Sequence, residues 1–397
     1  MSSRPRLAAL VSTYHRYAHA QHIVDRLLEG YGWEGRHHRP AMDVVSMYVD
    51  QVGAQDVSRE RAARFPQLTL YPTIADALTL GGSQLAVDGV LLIAEHGEYP
   101  VNAKGQTLWP RYEFFRQAVA VFRASGRGVP MFIDKHLSWN WDWAREMYDT
   151  ARDLGFPLLA GSSLPVTWRL PAVDVPLGAP LEEALCAGCG WVDGGDFHAY
   201  ETVQAMVERR AGGEVGVHQL QAFRGDAFWE AQAAGRWSPS LFAACLARSH
   251  QLGQARPGFN DALPTLDEMR QLVKDPWAYQ YEHRDGLRCT IMAMNGLFGD
   301  FAFAARVRGQ EEPLSMQPYL PMPPGHATLA SFFSPLVHHI ETLMLTGRSP
   351  IPVERTLLTT GLTAAGVESL HLGQAPVPTP HLAIAYQPNP ESTFWRT

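Results

Sequence analysis

The run Val87–Ala94 (VDGVLLIA) limits what this chain can fold into more than any other segment. Its apolar residues do not alternate with polar ones, so a strand here must be covered on both faces. Such strands belong to parallel sheets with helices packed above and below. The flanking sequence has the matching rhythm. Short apolar runs at Leu7–Val11, Met42–Tyr48, Leu68–Tyr71, Met131–Ile133 and Pro157–Ala160 read as further strands. Between them, helical spacing runs through Ala20–Leu28, Arg59–Phe65, Ile74–Leu80, Phe114–Arg123 and Trp141–Leu154. The pattern predicts an α/β unit over residues 1–168, a doubly wound parallel sheet.

After Arg169 the pattern changes. Longer strands at Val215–Phe223, Cys289–Met294 and Phe301–Val307 lie among helices at Thr202–Arg210, Ser240–Ser249, Phe332–Leu345 and Val353–Ser369. An α+β domain over residues 169–397 follows. Pro313–Pro324, with its prolines, reads as a surface loop. A chain of 397 residues is long enough for two such cores. The formal charge of −7 provides no basic footprint for nucleic acid. No apolar run approaches the roughly 20 residues of a membrane span. The short apolar stretch near the N-terminus belongs to the first strand, so no signal peptide is expected there. Cys186 and Cys189 form a lone CxxC, and Cys245 and Cys289 stand apart. These read as reduced thiols, which suits the cytoplasm.

The turn after the first strand is unusual. A dinucleotide-binding (Rossmann) fingerprint places three glycines there: for a tight turn, for close approach of backbone to pyrophosphate, and for helix–strand packing. In STYHRYAHAQH the three positions hold Ser12, Tyr14 and Tyr17.

Ligands of open α/β sheets bind beyond the carboxyl ends of the strands. Those ends are rich in ionisable residues: His15, His19 and His22; Asp50; Glu95, His96 and Glu98; Asp134, Lys135 and His136; and Ser162. Imidazoles with carboxylates make His15, His19, His96 and His136 candidate ligands for zinc, manganese, iron or nickel. Glu95, Asp134 and Lys135 are candidate acid–base groups. The polar stretch Asn102–Phe115 offers Lys104 and Arg111 to a substrate, with Ser162 and His198 as further substrate contacts. Trp139, Trp141 and Trp143 admit sugar stacking, but Trp139, Trp143, Met147 and Ala151 recur at helical spacing, which favours core packing.

Several segments together resemble the Gfo/Idh/MocA oxidoreductases. Glu60–Leu78 is similar to that family's second helix, third strand and third helix, and Val87–Ala94 to its fourth strand. Phe132–Ser163 resembles its Glu-Lys-Pro strand end and following helix, with Asp134 for Glu and His136 for Pro. Gly194–Met206 resembles its Asp-x-x-x-His helix start with a shorter Asp–His spacing, and Gly347–Leu370 its closing helix. The resemblance implies a Rossmann-like domain followed by an α+β domain with an open, mostly antiparallel sheet. It implies that Lys135 is the catalytic lysine, that His198 is the helix histidine, and that Asp50 holds an adenosine ribose if NAD(P) binds. It also implies a homodimer or homotetramer paired through the open sheet face.

Three functions follow from these observations. One is a small-molecule enzyme acting on a sugar-, polyol- or hydroxy-acid-like substrate, with the dinucleotide site rebuilt around a divalent metal. The second is an NAD(P)-dependent oxidoreductase of sugars or polyols with an atypical phosphate loop. The third is a non-catalytic ligand-binding protein on the same fold.

Overall fold

The computed structural model describes residues 4–253, 263–321 and 330–394. The first sheet contains β1 (Arg6–Val11), β4 (Asp43–Val49), β5 (Thr69–Leu70), β6 (Gly89–Ile93), β7 (Met131–Asp134) and β8 (Leu158–Gly161). Between β1 and β4 the chain makes a small hairpin, β2 (Tyr31–Trp33) and β3 (Arg36–His38). The sheet order is β5-β4-β1-β6-β7-β8, and every pairing is parallel. That is the doubly wound order, with its crevice beside β1 where the winding reverses.

Alternate residues of each strand feed two cores. Leu7, Ala9, Val11, Leu91, Ile93 and Phe132 face α1 (His19–Glu29) and α10 (Ser334–Thr346). Ala8, Leu10, Val90, Leu92, Met131 and Ile133 belong to the core shared with α3 (Ile74–Thr79), α4 (Arg111–Ala124) and α5 (Trp141–Asp153). The short helix α2 (Ser58–Arg64) precedes β5, and Thr73 caps α3 through Asp76 N–H. The unbroken burial of β6 is what its sequence predicts.

The second sheet is mixed and mostly antiparallel. It contains β9 (Arg169–Leu170), β10 (Leu181–Gly188), β11 (Val217–Arg224), β12 (Trp277–His283), β13 (Arg288–Ala293), β14 (Ala302–Val307), β15 (Leu314–Pro318) and β16 (Val377–Pro378). Their order is β16-β11-β12-β13-β10-β14-β15-β9, and β10 and β13 run parallel. The stretch expected to be a proline-rich loop instead contains β15, which pairs with β14 and β9. Residues 322–324 of that stretch lie outside the described residues.

One face of this sheet packs on α6 (Gly195–Val207) and α11 (Val353–His371), and its core is continuous with that of the first sheet. The opposite face is covered by α7 (Asp226–Ala233), α8 (Pro239–Arg248) and α9 (Leu266–Leu272). Phe228, Trp229, Trp237 and Phe242 are buried there against Leu185, Phe223 and Met292. The face expected to pair subunits is therefore occupied by the chain's own aromatic side chains.

α11 ties the layers together, contacting α5, α6, β8 and β11. Its Arg355 makes a two-pronged, fully buried ion pair with Glu208, at 2.9 and 2.5 Å. Removing one partner of such a pair strands a buried charge. Arg355→Leu is expected to destabilise the chain by about 3–5 kcal/mol in urea unfolding. A loss under about 1 kcal/mol would mean that Glu208 finds another partner.

Candidate active site

β6 and β7 end side by side and place Glu95 and Lys135 next to each other. Lys135 has φ +70, a left-handed backbone that a lysine adopts at a cost of about 1–2 kcal/mol. It is held there by its N–H donating to Gly161 O at 3.1 Å. Its Nζ lies 3.2 Å from Glu95 Oε1 and donates to His198 Nε2. His198 comes from α6, so the contact joins the two domains.

Arg111, the first residue of α4, locks this pair from behind. Its Nη2 donates to Glu95 Oε2 at 2.6 Å and its Nη1 to His136 Nε2 at 3.2 Å. Arg111 is 0% exposed and Lys135 is 1% exposed. Burial favours a neutral Glu95 carboxyl, but the Lys135 and Arg111 charges outweigh it and hold Glu95 well below the usual carboxylate range. Burial and then Arg111 push His136 well below the usual histidine value. Burial and then Lys135 do the same to His198.

Asp134 turns the other way. Its Oδ2 lies 2.7 Å from His19 Nδ1, so it orients His19 and does not reach Lys135. His19 and His15 are in ring contact with His96, at 5.2 and 5.6 Å between centroids. Burial and then His19 lower His96 to about 4.

Of the four expected metal ligands, His15, His19 and His96 lie in ring contact, but the fourth does not join them. His136 sits apart against Phe197 and the Arg111 guanidinium, a position hostile to a cation. Among the described residues, no three His, Cys, Asp or Glu side chains form a ligand set. The reason lies in the charges: Lys135 and Arg111 already neutralise Glu95. The four cysteines are free.

Other expected residues are spread more widely. Ser162 follows β8, and its N–H donates to Glu201 Oε2 at 3.2 Å. Lys104 pairs with Glu368 of α11, on a separate cleft. Arg111, expected to touch substrate, is instead a buried positioning residue. Asp196, in the histidine-helix motif, accepts from Trp277 Nε1 at 2.7 Å and Tyr279 Oη at 2.9 Å, away from Lys135.

Asp193 takes the place near the site that the motif suggested for Asp196. Burial lifts its carboxyl to about 6 against the pull of Gln106 and Arg111. Gln106 Nε2 donates to Asp193 Oδ1 at 3.0 Å. The only local hint of Asp193 is its position before Gly194-Gly195, a turn that it enters with φ +73.

The loop without glycines also has a physical account. The Tyr14 ring turns into the protein, where its hydroxyl donates to Asp25 at 2.5 Å. Asp25 also accepts from Gln21 at 2.7 Å and from Arg61 at 2.9 and 3.0 Å. Tyr17 keeps the left-handed turn, with φ +69. A cleft of about 520 Å³ remains at the ends of β1, β4 and β6, lined by Thr13–His15, Gln51–Asp56, Gly97 and Glu98.

Gly97 lines it: a Cβ there would lie 2.8 Å from Tyr99 Cε2 and 2.9 Å from Gln51 Oε1, and its φ is +126, so the close packing of these side chains requires a glycine. Thr13 Oγ1 and one Asp56 oxygen are buried with no protein partner. Beside the cleft, Asp50 accepts from Tyr48 and Tyr99 hydroxyls at 2.7 and 2.8 Å, which leaves lone pairs for a ribose. The Asp50 carboxylate and the Thr13 hydroxyl are thus open to a hydroxylated ligand, and among the described residues no lysine or arginine lines the cleft.

No protein-family model matches the chain, and no curated protein matches it in sequence. Solved structures do match. Myo-inositol 2-dehydrogenase from Lactobacillus plantarum aligns over 94% of this chain and 99% of its own, at 10% identity and a TM-score of 0.55. Myo-inositol dehydrogenase from Lactobacillus casei, solved with NAD(H) and myo-inositol, aligns over 94% and 96% at 11% identity and 0.54. GenD2 from gentamicin A biosynthesis, solved with NAD, aligns over 95% and 97% at 12% identity and 0.58. The chain has the two-domain fold of the Gfo/Idh/MocA-type dehydrogenases.

Two tests follow. Asp25→Ala strands Arg61 and Tyr14, so about 3 kcal/mol of stability is expected to be lost, against about 1 for Tyr14→Phe. A smaller loss for Asp25→Ala than for Tyr14→Phe would contradict the hub. The second concerns acid. His22 is lowered to about 3 by burial, then by His19, and His96 is at about 4. An unfolded histidine titrates near 6.5, so both contribute stability present above that value and lost as pH falls toward 4. The slope is up to about 1.4 kcal/mol per pH unit for each. His96→Asn is expected to flatten the fall in urea midpoint between pH 6.5 and 5; an unchanged slope would place His96 in water.

Proposed function

We propose that this chain is an oxidoreductase that interconverts a secondary alcohol and a carbonyl on a polyol- or sugar-like molecule, with a nicotinamide dinucleotide. The observation that carries the reading is the meeting of Lys135 and His198 at the strand ends. The dehydrogenases that share the fold support the substrate class and the cofactor.

A nicotinamide, when bound, accepts or returns the hydride of the reacting carbon. The protein handles the proton. Lys135 Nζ contacts the reacting oxygen: as the ammonium it gives that oxygen a proton when the carbonyl is reduced, and as the amine it takes the alcohol's proton in the reverse direction, while neutral His198 Nε2 accepts the hydrogen bond that orients it. Glu95, clamped by Arg111, holds Lys135 against this path. Thr13 and Gln51 would hold the dinucleotide, and Asp50 would be the residue offered to its ribose. Asp50, offered to the ribose, would repel a 2′-phosphate, so NADH is preferred over NADPH.

Among the described residues no lysine or arginine lines the cleft, which favours a second reading, in which the same Lys135–His198 pair performs non-redox proton transfer on a similar substrate.

Thermal unfolding with each nucleotide separates the two. NADH at about a hundred times its Kd is expected to add about 2.7 kcal/mol of stability, with a smaller effect of NADPH. No shift with either nucleotide would sink the first reading. Lys135→Met is expected to lower kcat about a hundred- to ten-thousand-fold at a temperature where the variant is still folded, with a lowered melting temperature because Glu95 keeps only Arg111 as a partner. Undiminished turnover in that variant would remove Lys135 from the chemistry.

A further inference from the structure

We propose that a second cleft, beside α5 and α11, is a binding subsite for a neutral saccharide. It encloses about 330 Å³, within the range of small-molecule sites. Trp139 and Trp141 line it together with Lys104, Asp142, Glu368 and His381. The proposal does not depend on nucleotide binding.

The indoles are held firmly. Trp139 packs edge-on against Trp143 at 4.8 Å, and Trp143 stacks on Tyr112 at 4.5 Å. Trp141 is fixed by His381 at 5.0 Å and by α11, where Gly361 makes room for it. A Cβ on Gly361 would lie 2.8 Å from Trp141 Cζ3. Ala364 and Ala365 complete a low wall on the same helix. Rigid indole surface loses little conformational freedom on binding. Its electron-rich face suits the apolar, weakly positive C–H face of a sugar ring.

The polar groups suit hydroxyls better than charges. Lys104 is offset by Glu368, which it contacts across the cleft. Asn140 uses its Oδ1 to cap Trp143 N–H at the start of α5, which leaves its Nδ2 for a ligand. Asn102 is consumed in shaping the loop: its Oδ1 accepts from the N–H groups of Lys104 and Gln106 at 2.9 and 3.1 Å. A neutral ligand with several hydroxyls therefore fits, and an ionic one would have to break the Lys104–Glu368 pair.

The cleft also communicates with the reaction site. Gln106 lines it, and its Nε2 donates both to Trp139 O at 3.2 Å and to Asp193 Oδ1 at 3.0 Å. A sugar held here rests against the residue that positions Asp193. The site thus accounts for the tryptophan run and the Asn102–Phe115 stretch, which the proton-transfer machinery does not use.

Calorimetric titration with glucose, maltose and cellobiose tests the proposal on the wild type and on Trp139→Ala, Glu368→Ala and Lys135→Met. Saturable binding of at least one sugar is expected, weakened roughly tenfold by Trp139→Ala and by Glu368→Ala. Lys135→Met, titrated below its own melting temperature so that it is folded, is expected to bind as wild type does. Glu368 is half-buried on the surface of α11, so its variant guards against misfolding of the tryptophan variant. Three results overturn the proposal: no saturable binding, binding indifferent to both cleft variants, or binding lost in Lys135→Met, which would place the sugar at the reaction site. Failure of the nucleotide to bind leaves this test intact.

Discussion

The buried charges Arg111, Glu95 and Lys135 set the constraint from which the rest of the site follows. Each would be costly alone in the interior, and each is tolerable because the next one is in reach. Glu95 ends β6, Lys135 ends β7, and Arg111 opens α4. His198 arrives from the second domain. Satisfying this chain of contacts therefore fixes how two strands, one helix and a second domain meet. It also explains why Lys135 keeps a left-handed backbone, since relaxing it would withdraw the amine from both Glu95 and His198.

The same accounting explains the histidines. Counted by type, imidazoles and carboxylates at the strand ends point to a divalent ion. In the fold, two cations already face Glu95, His136 lies against one of them, and His19 is held by Asp134. The positive charge that a metal would bring is present as side chains. The loss of glycines from the first loop has a similar resolution. The Tyr14 ring turns inward onto Asp25, and a cleft remains beside it at the strand ends.

Much of the architecture was legible along the chain. The two-faced burial of Val87–Ala94 and the alternation of strand and helix before it and after it are local properties, governed by periodicity and by side chains a few residues apart. Less local features were not legible. β10 carries apolar residues toward helices on both faces, without the alternation that marks a one-sided strand. β15 was obscured by its flanking prolines. The aromatic cover over the outer sheet face comes from helices far along the chain.

By itself the sequence determined the parallel sheet, the change to an α+β domain, and the nomination of Lys135 and His198, because each is written in residue types at short spacing or in a resemblance of segments. Tertiary structure alone decided which ionisable groups meet. It placed Asp193 near the site and Asp196 elsewhere, made Arg111 a buried clamp, and set Lys104 on a different cleft. Lys135 and His198 stand 63 residues apart and Lys104 and Glu368 stand 264 apart. The physical reason is that charge pairing in a low-dielectric interior depends on distances of a few ångströms, and for residues so far apart in sequence only the folded topology sets those distances.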